Sequence, residues 1–90
     1  MINSDLATEI ALNDTSQHYL DWKIVNVAVL RCELVNNFWC VDVRRVYSHG
    51  DCVIFPCEIS LDGSTNGYSF DFVDLPPEFQ HLEPVEELEE

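Results

Sequence analysis

Residues 20–35 read LDWKIVNVAVLRCELV, and the period of this stretch decides the fold. Leu20, Trp22, Ile24, Ala28, Leu30, Cys32 and Leu34 share one parity. The alternate positions carry Val25, Val27 and Val29 between Asp21, Lys23, Arg31 and Glu33. β-Branched residues fit a pleated surface better than a helix, where their χ1 freedom is lost against the preceding turn. The run therefore reads as a strand, and apolar residues on both faces at its midpoint suit a central position in a sheet. A helix is the rival reading, because neither Gly nor Pro interrupts the run.

Downstream, Asn36-Asn37 supplies a tight turn, since Asn tolerates positive φ. Phe38 to Tyr47 alternates as a second strand, with Trp39, Val41 and Val43 on one parity. Ser48-His49-Gly50-Asp51 is a turn by composition, and Cys52 to Leu61 is a third strand. Pro56 cannot donate a ladder hydrogen bond, so this third strand is expected at an edge or with a bulge. Asp62-Gly63 and Asn66-Gly67 bound a six-residue hairpin loop, and Tyr68 to Val73 is the fourth strand. Pro76-Pro77 ends the sheet, with Phe79 and Leu82 docking back on it. Upstream, Asn3 or Ser4 caps a helix that starts at residue 4 or 5. Leu6, Ala7, Ile10 and Ala11 recur at helical spacing until Asn13-Asp14-Thr15-Ser16 stops it near residue 13. The fold class is thus α+β: a short N-terminal helix packed on a four-stranded antiparallel meander. Residues 1–82 form one domain, and residues 83–90, EPVEELEE, form an acidic tail expected to fray.

Charge is distributed unevenly along this plan. The 90 residues hold 17 Asp and Glu against 4 Lys and Arg, a net charge of −13. Residues 1–22 carry −4, residues 23–45 hold all four cations (Lys23, Arg31, Arg44, Arg45) and carry +2, and residues 46–90 carry −11 with no cation at all. Such a chain does not bind nucleic acid or an anionic membrane through a basic surface, because its field has the wrong sign. The apolar run Ile24 to Leu30 is far shorter than the ~20 residues of a membrane span. A compact domain of this length is roughly 30 Å across, and a duplex of that length carries about 18 phosphate charges. A comparable charge per length makes mimicry of DNA one reading of the carboxylates. A merely soluble, self-repelling domain is the other.

Chemistry is thinly supported. The four cysteines (Cys32, Cys40, Cys52, Cys57) have none of the Cys-x₂₋₄-Cys knuckles of a structural zinc site. Cys52 and Cys57 have opposite parity, and free buried thiols are the better reading. Cys32 and Cys40 fall on adjacent strands and are the one pair close enough to merit inspection. Ser48, His49 and Asp51 include the residue types of a triad, but neighbours in one turn do not converge as a triad must. No GxSxG, HExxH, P-loop or GxGxxG motif occurs. The Asp62–Gly67 loop lacks the closing Glu of a calcium-binding EF-hand. No catalytic, cofactor or metal site is expected, and the chain is not read as an enzyme.

The acids around the last hairpin remain: Asp62, Asp71, Asp74 and Glu78, continuing into Glu83, Glu86 and Glu87. They are the candidate contacts for a basic partner, and Tyr68, Phe70, Phe72 and Phe79 are either its anchors or core. In size and charge the chain is similar to the small acidic inhibitors that phages deploy against host nucleases, restriction enzymes and CRISPR complexes, and equally to toxin-neutralising immunity proteins. The leading expectation is a non-enzymatic inhibitor that occupies the basic, nucleic-acid-binding surface of another protein. It would touch no nucleic acid or membrane directly. With no basic leader at its start, it would work in the cytoplasm, the host's if phage-encoded. The alternative is a structural or accessory subunit that homo-oligomerises, a homodimer for instance, through an exposed sheet face or edge.

Overall fold

A computed structural model describes residues 1–82, so Glu83, Glu86 and Glu87 lie outside the described residues. The elements are α1 (Ser4–Thr15), β1 (Ile24–Val35), β2 (Phe38–Tyr47), β3 (Cys52–Ser60), β4 (Thr65–Tyr68), β5 (Asp71–Val73) and a 3₁₀ turn (Pro77–Phe79). The fold is α+β, with α1 packed on an antiparallel sheet of order β1-β2-β3-β4. Asn3 caps α1: its Oδ1 accepts the Leu6 N–H at 2.9 Å. The helix runs two residues past the expected stop, to Thr15, because the Thr15 hydroxyl donates to the Ala11 carbonyl at 2.9 Å and turns inward. Asn36 and Asn37 both adopt positive φ, 50° and 68°, and close a two-residue hairpin of the kind whose twist matches its strands.

Of residues 20–35 only Ile24–Val35 supply a strand, and at a different place in the sheet from the one their apolarity suggested. Strand β1 is an edge, paired with β2 alone among the described residues. Alternation reports which side chains leave each face; it does not report how many neighbours a backbone has. Bulges at Val25 and Leu30 interrupt the β1–β2 register. Strand β3 is central rather than an edge, and the irregularity expected of Pro56 appears beside it, as a register shift against β4 between Cys57 and Ile59. The Pro56 carbonyl accepts the Ser69 N–H at 3.3 Å. A strand residue aims its N–H and C=O at the same neighbour, so the donor Pro56 lacks is missing on that side. There the expected fourth strand splits in two: β4 pairs with Cys57 and Ile59, β5 pairs with Cys52 to Ile54, and Ser69-Phe70 lies between them. The hairpin loop is also shorter than six residues. A turn at Asp62-Gly63 closes on a Ser60 N–H to Ser64 carbonyl bond of 2.8 Å, and Asn66-Gly67 lies within β4.

The core lies on one face of the sheet. Ala7 and Ala11 of α1 bury against Val41 and Val43 of β2 and Val53, Phe55 and Ile59 of β3. Cys32 and Cys40 occupy adjacent strands but opposite faces, because Cys32 pairs with Val41 and Cys40 with Glu33. All four cysteines are free thiols. Cys52 and Cys57 are buried on opposite faces, as their parity requires. Among the described residues no helix is long and apolar enough to cross a membrane.

Candidate functional site

Where the cations go decides what the carboxylates can do. Arg45 is only 4% exposed and points into the helix-covered face. Its Nη2 donates to the Leu12 carbonyl and to the Thr15 hydroxyl, both at 2.9 Å, so the guanidinium caps the C-terminal end of α1. A cation suits that end of the helix dipole, where carbonyls lack intrahelical donors. Burial pulls the Arg45 pKa below its usual value, against the opposing fields of Tyr47, Cys57 and Tyr68. Arg44 leaves the other face, where its Nη2 donates to Asn26 Oδ1 at 3.1 Å and its guanidinium lies 5.9 Å from the Phe79 ring. Arg31 pairs with Asp42 at 3.4 Å and Glu33 at 4.0 Å. Among the described residues no Lys or Arg pairs with an acid beyond residue 45.

The four described acids of the candidate set fall into two places. Asp62 sits in the turn after β3, where its Oδ1 accepts the Ser64 N–H at 2.9 Å and the Ser64 hydroxyl at 2.7 Å. These bonds, the backbone one first, hold its pKa below the usual carboxylate value. Asp71 pairs with Ile54, six residues before the end of β3, so it lies about 20 Å along the sheet from that turn. Asp71, Asp74 and Glu78 are exposed and follow one another around the β5 end. Asp74 also lines a concavity of about 560 Å³ with Asp51, Cys52, Phe72, Leu75 and Gln80. Asp71, Asp74 and Glu78 thus lie in β5 and the segment that follows it, while Asp62 is set apart as a turn-former.

The β5 end carries a second feature. His18, Tyr19, Trp22, Tyr47, His49, Phe55, Tyr68, Phe70 and Phe72 form one connected set of rings. Tyr19, at φ 55°, stacks on Trp22 with centroids 4.0 Å apart. Phe70 and Phe72 are 41% and 52% exposed. They are not core; Phe72 pairs with Val53 of the core face and Asp71 with Ile54, so these two side chains leave opposite faces of β5, whereas Asp74 lines the same concavity as Phe72. His18 belongs to this set through two contacts: its ring lies 4.7 Å from Phe70 and 5.6 Å from Phe55. The recurrence of rings in HYLDW and YSFDF is the signal that links these segments.

The turn 48–51 forms no triad. His49 Nε2 and Asp51 Oδ2 are 2.9 Å apart, while the exposed Ser48 takes no part in the pair. Among the described residues no three His, Cys, Asp or Glu side chains converge to hold a metal. Burial, with the Asp14 and Asp42 carboxylates adding to it, pushes the Cys57 thiol up to about 11, so it is neutral and unreactive near pH 7. No protein-family model, curated protein or solved structure matches the chain.

Proposed function

We infer that the protein is a small acidic, non-enzymatic inhibitor that docks on the basic, nucleic-acid-binding surface of another protein, a nuclease or a CRISPR or restriction complex for example. The observation that carries this reading is the allocation of the cations. Arg45 is committed to α1 and Arg31 to Asp42 and Glu33, and among the described residues neither Arg44 nor Lys23 comes within ion-pair distance of Asp71, Asp74 or Glu78, so these carboxylates form no internal salt bridge. Asp74 lines one concavity with the half-exposed Phe72, and an unpaired carboxylate next to an exposed ring matches the needs of a basic partner, with the ring as anchor and the charge for steering. The shape limits how literal the mimicry is. The described residues extend 51 × 23 × 18 Å and hold twelve acids against four bases. A duplex of that length carries about 30 phosphate charges. A local acidic patch, rather than a uniform rod of charge, is what supports this reading. A reducing cytoplasm suits four free cysteines.

Capture of partners from a native lysate at low and then moderate salt, followed by nucleic-acid-binding assays on what is captured, tests the reading. It requires a captured basic protein that loses nucleic-acid binding as this protein is added. Captured proteins that keep nucleic-acid binding at saturation would overturn it.

A further inference from the structure

Strand β1 presents the largest feature that the inhibitor reading leaves unused. Ile24, Val25, Val27, Val29, Leu30, Leu34 and Val35 are 39% to 51% exposed along its 12 residues. Together they leave on the order of 500 Å² of apolar surface along the edge and both faces of β1, comparable to the largest patch of a typical monomer, and such patches often mark interfaces. The backbone groups of this edge have no strand partner beyond β2 among the described residues. No Pro lies within it, and its only charged side chains are Arg31 and Glu33.

We propose that this edge is a dimer interface at which β1 pairs antiparallel with β1 of a second copy. Three features of the strand favour a second copy as the occupant. The bulge at Leu30 reverses parity: Val27 and Val29 pair with Arg45 and Val43, Cys32 and Leu34 pair with Val41 and Trp39, and all four lie on the helix-covered face. A two-fold axis between Leu30 and Arg31 then sets Val27 opposite the partner's Leu34 and Val29 opposite the partner's Cys32, with faces matched on both sides of the bulge. The same register opposes no like charges, since Arg31 meets the partner's Leu30 and Glu33 meets the partner's Ala28. One residue meeting a second while that second meets the first across a two-fold axis is the isologous contact of most homodimers.

Charge placement agrees. All four cations lie within residues 23–45, so this is the least negative side of a −13 chain. Pairing at β1 carries the two β4/β5 edges to the outside of one continuous sheet, about 34 Å apart at ~4.8 Å per strand. That separation is several Debye lengths at physiological salt. Residual repulsion between copies falls with salt, so dimerisation tightens with ionic strength, whereas docking on a basic partner weakens. The two proposals therefore fail independently.

The test is the oligomeric state of the full chain. Light scattering after size exclusion is expected to give twice the 10.4 kDa chain mass at about 100 µM protein, with the dimer dissociation constant falling roughly threefold between low and high salt. V27K is expected to weaken the dimer at least tenfold while circular dichroism stays that of the folded chain. Opposed strand residues have Cα atoms 4.5–5.5 Å apart, within disulfide range. In a C40S background, V29C is expected to form a covalent dimer with oxidised glutathione as oxidant, and V27C is not. Replacing Cys32 with Ser as well is expected to abolish the V29C crosslink. A monomeric wild-type chain at that concentration overturns the proposal, and so does a V29C crosslink that persists without Cys32.

Discussion

Arg45 shows how one side chain can have two roles open to it and take only one. A cation in residues 23–45 was available to neutralise the acidic second half of the chain. In the fold it donates to Leu12 and Thr15 instead, and no carboxylate pairs with it among the described residues. Arg45→Ala is expected to lower stability by about 3 kcal/mol, because it orphans a helix-end carbonyl and opens a cavity. Arg45→Met fills the volume without the bonds, so wild-type stability in Arg45→Met by urea denaturation would mean that the cap contributes nothing. Cys57 carries a different prediction. Its folded pKa is raised to about 11, so the folded thiol keeps its proton where the unfolded thiol, near 9, has lost it. Its contribution is complete below pH 9 and declines as pH rises towards 11, by about 2 to 3 kcal/mol. Cys57→Ala should flatten that part of the stability–pH curve. Burial raises the Tyr47 pKa as well, so some slope should persist in the variant.

At the scale of elements, the local signals were strong where geometry is local. The Asn3 cap, the period of α1 and the Asn36-Asn37 turn depend on residues within four positions of one another, and each appears in the fold. Asn37 at φ 68° is expected to accept Gly with a gain of a few tenths of a kcal/mol, and Ala with a loss of about 1 kcal/mol. Thermal melting of the two variants checks the order, and a more stable Ala variant would contradict the left-handed turn. Strand order was less legible. Apolar side chains on both faces of residues 24–30 look alike in a buried strand and in an edge strand awaiting a partner. The split between β4 and β5 follows from Pro56, whose local effect was readable, though which neighbour would lose its ladder was not.

For the whole molecule, the net charge matters through its position. Asp71→Asn, Asp74→Asn and Glu78→Gln together are expected to slow association with a basic partner about tenfold at low salt. Removal of Glu87, Glu89 and Glu90 should have a far smaller effect. Stopped-flow association rates across a salt series measure both, and equal slowing would assign the effect to net charge alone. Of the candidate acids, Asp71, Asp74 and Glu78 lie in β5 and the segment that follows it, while Asp62 belongs to a turn about 20 Å away along β3. Sequence proximity to the last hairpin could not separate them, because a hairpin brings its two ends together and carries its turn away from both.

By itself the sequence determined the helix, the strands and turns that follow from period and backbone preference, and the division of charge into an almost cation-free second half and a mildly cationic middle. Those properties are set by neighbours a few residues apart. Only the tertiary structure decided that β1 is the open edge, that Arg45 turns inward to α1, and that Phe70 and Phe72 join His18 and Trp22 at the surface. These outcomes depend on which segments compete for the same buried face. One short helix covers β2 and β3, which leaves β1 and its aliphatic residues on the outside.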